Sequence, residues 1–176
     1  APLKARLEAA FELPVYVEHD GNAGALAEFT FGAGRGARNM VFLTMGTGLG
    51  AGLILNGQIY HGSSDMAGEV GHVRVAETGP VQYGKAGSWE GYSSGAGLAS
   101  LARLRQPERW SESTTAREIA GQALEGDLDA REVVAEAGRW LGRGLAMLVD
   151  VLNPDVIVVG TLGVVLGDLL LEPARA

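Results

Sequence analysis

The sequence contains no cysteine, and this absence excludes disulfide bonds and thiolate metal sites. Positive charge is also scarce, because 14 Lys and Arg residues face 21 Asp and Glu residues and leave a net charge of -7. An acidic chain does not attract the phosphate backbone, so we expect no sequence-independent nucleic-acid binding by this segment. No apolar stretch has the length of a membrane span, and the first residues lack a signal-peptide pattern. We therefore expect a soluble, cytoplasmic protein.

Glycine, by contrast, is abundant: 27 of the 176 residues are glycine, without a collagen-like period or a low-complexity tract. We expect these glycines to mark turns and ligand-binding loops. The length and the 47% share of hydrophobic residues suit one domain with a sizeable core, or parts of two smaller lobes. Residues 1–13 have the pattern of a helix end and lack a start methionine, and the sequence stops in another helical pattern. We interpret both ends as cut out of a longer protein.

The secondary-structure patterns predict strands and helices up to residue 60, an irregular segment after them, and mainly helices from Ser93 onwards. The segment from Pro14 to Glu18 is predicted as a short strand because it is rich in β-branched and aromatic residues. Residues 22–31 are predicted as a helix with Asp20 or Asn22 near its N-cap. Residues 61–92 are irregular and rich in glycine, and helical patterns follow them.

An antiparallel meander is predicted over residues 40–60. Met40 to Met45 and Leu53 to Leu55 are apolar runs of strand length. The dipeptide Asn56-Gly57 is typical of a two-residue hairpin with a type I′ turn. A later apolar run, Val156 to Val159, is predicted as a strand buried on both faces.

The second half of the sequence has helix-capping patterns. Thr115 with Glu118, and Asp129 with Glu132, have the spacing of a capping box at a helix N-terminus. The second pair precedes a long helix that Pro154 ends, because proline cannot continue the helical hydrogen bonds. Apolar residues recur in this helix every three or four positions, as a core-facing stripe requires: Val133, Ala137, Leu141, Leu145, Leu148 and Leu152.

A glycine-rich segment with the sequence LTMGTGLGAG lies at residues 43–52, between two predicted strands. Glycines let the backbone approach a ligand closely, and successive N–H groups can form a nest that binds an anion. The Thr47 hydroxyl adds a further donor. Phosphate binding and an ordinary glycine-rich turn both remain open for this motif alone, because short glycine patterns are unspecific.

An Asp follows the first predicted strand and opens the next helix, in the sequence VEHDGNA at residues 17–23. Ligands of α/β proteins bind at such strand ends. Phosphoryl transfer to a hydroxyl benefits from a carboxylate that orients the hydroxyl and accepts its proton. Asp20 is therefore a candidate general base, and the alternative is that Asp20 only caps the helix.

Two carboxylates and an imidazole lie in the irregular part of the sequence. Glu69 and His72 belong to the segment AGEVGH, and Glu90 follows Trp89. These side chains offer acceptors and donors that suit sugar hydroxyls. The alternative is a solvated turn, because Glu and His residues are mostly surface residues.

The order and spacing of these motifs resemble the ROK family, named for repressors, open reading frames and kinases. The EHDGNA turn comes first, then GTGLGAG, the Asn-Gly hairpin, AGEVGH, and a Gly-x-x-Gly-x-x-Glu pattern that ends at Glu90. The resemblance extends from about Leu13 to Arg175 and includes the segment LNPDVIVVG at residues 152–160. It implies the actin-like, ribonuclease-H-like α/β fold of two lobes. Residues 1–39 would then belong to an incomplete first lobe, and residues 40–176 to the second.

The resemblance also implies an activity: transfer of the γ-phosphate of ATP, with magnesium, to a hexose. Asp20 would be the general base on the 6-hydroxyl, and its neighbour His19 stands where the family often has a sugar-binding Asn. The residues implied to bind sugar are His19, Glu69, His72 and Glu90. Those implied to bind the nucleotide are Gly46, Thr47, Gly48, Gly160 and Thr161. Thr161 stands where many members have a second glycine, and its side chain is expected to crowd that turn.

Two departures from the family pattern are visible. Most members carry a C-x-C-G-x-x-G-C zinc motif, and this sequence has Val81, Tyr83 and Ser88 in place of the three cysteines. We therefore expect no zinc, a His72 that is free to contact sugar, and a loop packed by Val81, Tyr83 and Trp89. The family's first phosphate motif, an Asp-x-Gly-Gly-Thr turn, would lie before residue 1.

Three functional hypotheses follow from the resemblance. The first is a glucokinase-like hexose kinase, and the retained Asp20 favours it. The second is a sugar-responsive transcriptional repressor, whose helix-turn-helix would precede this segment. The third is a sugar-binding protein without catalytic activity. The missing zinc-binding cysteines and the missing ends of the family's sequence favour this hypothesis. In each case the resemblance implies a homodimer, and we expect Leu98 to Leu104 and the long helix to support it.

Overall fold

The computed structural model describes residues 2–176 as a mixed α/β chain. The first helices are α1 (Leu3–Phe11) and α2 (Asp20–Phe31). The strands are β1 (Met40–Met45), β2 (Leu49–Leu55), β3 (Gln58–Ile59), β4 (Val81–Gln82), β5 (Lys85–Ala86) and β6 (Val156–Val159). The later helices are α3 (Trp89–Ser93), α4 (Gly95–Arg105), α5 (Ala116–Glu125), α6 (Leu128–Leu152), α7 (Leu162–Leu166) and α8 (Asp168–Arg175). A single 3-10 turn spans Val70–His72.

The main sheet has the order β3-β2-β1-β6. β1 pairs antiparallel with β2 and parallel with β6. Asn56 and Gly57 join β2 to β3 with φ values of 54° and 78°, so the predicted type I′ hairpin and the meander are confirmed. β6 packs against apolar side chains on both faces but is only half-buried, because β6 is the edge strand of the sheet in residues 2–176.

Helices cover both faces of this sheet. α2 packs against β1 and β2 on one face, where Ala25, Met40 and Ile54 are fully buried. The other face carries the larger core, to which α3, α4, α5, α6 and α8 contribute. The close approach of α2 depends on small residues, because a Cβ at Gly52 would lie only 2.6 Å from the Ala25 Cβ and would overlap the Gly21 carbonyl oxygen. This contact fixes α2, and with it Asp20, relative to the sheet.

The predicted stripe of the long helix is confirmed. Val133, Ala137 and Leu141 are buried, and the later stripe residues pack against the same core. Pro154 follows a helix end at Leu152, where Asn153 adopts a left-handed conformation (φ 43°). No helix in residues 2–176 combines the length and the apolar character needed to cross a bilayer.

The capping predictions had different outcomes. The capping box of Thr115 and Glu118 is confirmed at the start of α5. The pair Asp129 and Glu132 is not a capping box, because α6 begins earlier: Asp127 is the N-cap, and its Oδ1 accepts a hydrogen bond of 2.9 Å from the Ala130 N–H.

The predicted strand at residues 14–18 is absent. A strand needs a neighbour for its backbone hydrogen bonds, and no strand in residues 2–176 pairs with this segment. Tyr16 and Val17 are exposed. The expected dimer surface is also partly wrong, because Leu98 and Leu101 lie in the core of the chain itself and only Leu104 is exposed.

Candidate functional site

The turn before α2 presents His19 and Asp20. His19 is the N-cap, and its Nδ1 accepts a hydrogen bond of 3.2 Å from the Gly21 N–H. The same N–H lies 2.8 Å from Asp20 Oδ1. Because His19 is the cap, Asp20 is the first residue of the helix. The Asp20 side chain is 83% exposed, and His19 Nε2 lies 3.6 Å from its Oδ1. The carboxylate is therefore accessible to a ligand.

Glu18 stabilises this turn from behind. Its Oε1 accepts hydrogen bonds from Asn22 Nδ2 (2.8 Å) and from the His19 N–H (2.9 Å). These two hydrogen bonds hold the pKa of Glu18 below its ordinary value. His61 Nδ1 lies 4.0 Å from Glu18 Oε2 and connects the turn to the irregular segment after β3. Sequence reasoning did not assign a role to Glu18, although it belongs to the same motif as Asp20.

Imidazoles and carboxylates alternate beside this turn. His19 Nε2 lies 4.0 Å from Glu69 Oε1, and Glu69 Oε2 lies 3.7 Å from His72 Nε2. Glu69 is the residue before the 3-10 turn, and Gly68, with φ +99°, comes directly before Glu69. Only glycine suits position 68, because a Cβ there would overlap the Ala51 carbonyl oxygen. The close packing on β2 brings Glu69 next to His19.

The glycine-rich bend between β1 and β2 consists of Gly46, Thr47 and Gly48. The carbonyls of Gly46 and Thr47 accept hydrogen bonds from the N–H groups of Gly95 and Ala96, at the start of α4. Within residues 2–176, no group accepts a hydrogen bond from the backbone N–H of Gly46, Thr47 or Gly48. Three successive free donors are the arrangement that binds phosphate oxygens in other loops.

Two cavities meet at this bend. The first, of about 350 Å³, is polar and is lined by His19, Asp20, Thr44, Gly46, Thr47, Gly48, Leu49, Gly50, Glu69, Tyr83 and Glu90. The second, of about 870 Å³, is mainly apolar and is lined by residues of α4, α5 and α7 together with Met45, Thr161 and the bend. Gly46 and Thr47 line both cavities. A ligand in each cavity would therefore touch the same loop.

Two predicted residues lie outside these cavities. His72 packs edge-on against Tyr83, with ring centroids 5.0 Å apart, and lines a smaller cavity of about 230 Å³ beside the polar one. Gly160 lies behind the apolar cavity, where a Cβ would come within 2.7 Å of Phe42 Cζ. Its neighbour Thr161 does line the apolar cavity, at φ +49°. The Thr161 hydroxyl accepts a hydrogen bond of 2.7 Å from the Met45 N–H, which offsets the strain of that conformation.

The residues at the family's zinc position do not fit the metal. Val81, Tyr83 and Ser88 offer no thiolate, and no group of three or more His, Cys, Asp or Glu side chains in residues 2–176 is arranged to hold a metal ion. Ser88 instead caps α3, since its Oγ accepts a hydrogen bond of 3.1 Å from the Gly91 N–H.

Hydrogen bonds hold this loop, and the predicted packing of Val81 and Tyr83 is wrong because both side chains are exposed. Lys85 Nζ donates a hydrogen bond of 2.8 Å to the His72 carbonyl oxygen, and the Trp89 N–H donates one to the Val73 carbonyl. The Trp89 side chain is buried, as expected. The hairpin of β4 and β5 thus holds the turn that presents Glu69 and His72.

Comparison with known proteins identifies the family of this chain. The sequence profile of the ROK family matches residues 1–176. A glucokinase of Halalkalibacterium halodurans is 39% identical, over 99% of this chain and 56% of its own length. The xylose repressor of Caldicellulosiruptor bescii is 33% identical, over 99% of this chain and 46% of its own length.

A solved structure has the same fold. The ROK family glucokinase of Streptomyces griseus, in complex with glucose and AMPPNP, matches with a TM-score of 0.86 and 36% identity, over 99% of this chain and 60% of that chain. This likeness confirms the expected actin-like α/β fold. The chain spans little more than half the length of these glucokinases. From its sequence and its fold, the chain belongs to the ROK family.

Proposed function

We propose that the protein is a phosphotransferase that moves the γ-phosphate of ATP to the 6-hydroxyl of a hexose. The observation that carries the proposal is the loop shared by the two cavities. Asp20 lines the polar cavity. The bend, with its free N–H groups, lies between the polar and the apolar cavity. The Streptomyces griseus glucokinase, whose complex contains glucose and AMPPNP, supports the same assignment.

In this proposal the polar cavity holds the hexose. His19, Glu69 and Glu90 line it and accept or donate hydrogen bonds to the hydroxyl groups. His72 holds Glu69 in place from the adjacent cavity, at 3.7 Å, and completes the sugar-binding set. Asp20 orients the 6-hydroxyl and accepts its proton.

The apolar cavity holds the adenosine part of ATP, and Thr161 contacts it beside the turn that begins at Gly160. The N–H groups of Gly46, Thr47 and Gly48 hold phosphate oxygens. The 6-oxygen of the hexose attacks the γ-phosphorus, the bond to the bridging oxygen of ADP breaks, and the hydroxyl proton goes to Asp20. Magnesium bound with the nucleotide neutralises phosphate charge during this transfer.

A sugar-responsive repressor is the second candidate, and the 33% identity with the xylose repressor favours it. Both candidates need the polar cavity, but only the kinase needs a base beside the phosphate loop. Asp20 is exposed within the polar cavity, as a base requires. A homodimer, a cytoplasmic location and the division of the chain at residue 40 remain predictions.

Incubation of the purified protein with magnesium, ATP and one hexose at a time tests the proposed function. We expect ADP release that depends on the presence of one or more of glucose, mannose, fructose and the N-acetylated amino sugars. Polyphosphate in place of ATP identifies the donor. Sugar binding without any hexose-dependent ADP release would contradict the kinase and favour the repressor or an inactive sugar-binding protein.

We expect the purified protein to contain no stoichiometric zinc. Val81, Tyr83 and Ser88 cannot replace three thiolates, and backbone hydrogen bonds hold the loop instead. Elemental analysis by inductively coupled plasma mass spectrometry measures this directly. One zinc per chain would refute this interpretation of residues 81–88.

A further inference from the structure

Glu90 lines the polar cavity and packs against the bend that the two cavities share. It lies in the first turn of α3 and is only 5% exposed. Its Oε2 accepts a hydrogen bond of 2.9 Å from the Leu49 N–H, directly after the phosphate-binding bend. The contact is close, because a Cβ at Gly48 would lie 2.5 Å from the same oxygen. The bend therefore packs directly on the Glu90 carboxylate.

The other carboxylate oxygen is free for a ligand. Glu90 Oε1 makes no hydrogen bond within the described residues, although Glu90 lines the polar cavity. A buried carboxylate with an unused acceptor gains from any hydroxyl that reaches it, because the pairing offsets its desolvation. Under the proposed function, that hydroxyl belongs to the hexose.

Glu90 is also the only side chain among residues 2–176 that forms a hydrogen bond to Gly46, Thr47, Gly48 or Leu49. The other hydrogen bonds of this segment outside the sheet join its carbonyls to the backbone of α4. Of the groups in residues 2–176 that bond to this segment from outside the sheet, only the Glu90 side chain also lines the polar cavity.

We propose that Glu90 is a positioning residue that couples hexose binding to nucleotide binding, an inference that rests on the proposed function. One oxygen holds a hexose hydroxyl and the other holds the Leu49 N–H, so an occupied sugar cavity fixes the bend in the form that binds phosphate. Coupling between two ligands is reciprocal, so the nucleotide tightens hexose binding by the same factor. Loss of the carboxylate weakens nucleotide binding even when no hexose is present.

Glu69 provides the matched control. It is also a glutamate that lines the polar cavity, but its carboxylate lies beside the imidazoles of His19 and His72 and makes no hydrogen bond to the bend. A residue that only binds sugar behaves like Glu69. The two glutamates therefore separate sugar binding from support of the phosphate loop.

Calorimetric titration with AMPPNP and magnesium, with and without glucose, tests this inference. In the wild-type protein we expect glucose to tighten AMPPNP binding by about 5-fold or more. We expect Glu90→Ala to weaken AMPPNP binding about 10-fold without glucose and to remove the effect of glucose. Glu69→Gln should weaken glucose binding and leave AMPPNP binding without glucose unchanged.

Glu90→Gln covers the case in which Glu90→Ala does not fold, because an amide oxygen still accepts the Leu49 N–H. We expect its AMPPNP affinity to lie between those of the wild type and Glu90→Ala. The inference is overturned if every Glu90 variant that folds loses glucose affinity while AMPPNP binding without glucose stays within about 2-fold of the wild type. A wild-type protein that binds AMPPNP but phosphorylates no hexose would overturn the proposed function, and the AMPPNP titrations would still decide whether Glu90 supports the bend.

Discussion

Replacement of Asp20 by Asn is expected to lower kcat for hexose phosphorylation by about 10³-fold, within the range that general-base catalysis contributes. Asn keeps the size of the side chain and an oxygen that can accept the Gly21 N–H. It cannot take the proton of the 6-hydroxyl. Hexose affinity should therefore stay within about 3-fold of the wild-type value, because only the proton transfer is lost. Steady-state kinetics with calorimetric binding of the hexose measures both quantities.

Asp65→Asn is the control for this variant. Asp65 is also an exposed carboxylate next to a histidine, at 3.9 Å from His61 Nδ1, but it lies outside the polar cavity. We expect its turnover to match that of the wild type. Near-normal turnover in Asp20→Asn would show that the carboxylate is not the base.

Replacement of Gly52 by Ala is expected to lower the free energy of unfolding by about 3 kcal/mol, at the upper end of the cost of overpacking. The new Cβ would lie 2.6 Å from the Ala25 Cβ and would overlap the backbone carbonyl of Gly21. The Gly21 backbone cannot adopt another rotamer as a flexible side chain can, so α2 must move away from β2. Asp20 moves with it, and turnover falls even where the variant is folded. Urea denaturation and steady-state kinetics check the two effects.

Gly121→Ala is the matched control for the stability measurement. A Cβ at Gly121 meets no atom within 4 Å, and Gly121 lies inside α5. Alanine favours a helix interior over glycine, so we expect a gain of up to about 1 kcal/mol in the free energy of unfolding. A Gly52→Ala protein as stable as the wild type would mean that α2 does not depend on the close contact with β2.

Local patterns predicted much of the fold because their physical causes are local. Asn56-Gly57 determines its turn through its own left-handed backbone, and Thr115 with Glu118 caps α5 within four residues. The stripe of α6 follows from the helical period alone. The candidate site was predicted from the family and not from local patterns. Each motif alone was ambiguous, but the order of the motifs along the chain indicated the family.

Other features depended on contacts between distant residues. The strand at 14–18 failed because strand formation needs a neighbour, which composition does not reveal. His72 was expected to contact sugar, but the structure places it outside the polar cavity, where Tyr83 from the β4–β5 hairpin packs against its ring. The hydrogen bond from the Leu49 N–H to Glu90 joins residues 41 positions apart.

The sequence motifs likewise did not indicate that an apolar cavity exists. Its walls come from α4, α5 and α7, and no segment among them has an unusual composition. Small residues such as Ala96 and Gly121 line this space, but single small residues in a sequence do not indicate a cavity. Only the packing of the three helices around Thr47 brings these residues together.

Phosphorus NMR of the reaction mixture shows whether one loop presents ATP to a hexose held beside Asp20. The protein is incubated with glucose, magnesium and ATP, and the same sample is prepared with Asp20→Asn. We predict that the wild type forms ADP and glucose 6-phosphate in equal amounts, and that the variant forms neither at a comparable rate. ADP with free phosphate and no sugar phosphate, or a variant as fast as the wild type, would contradict the account.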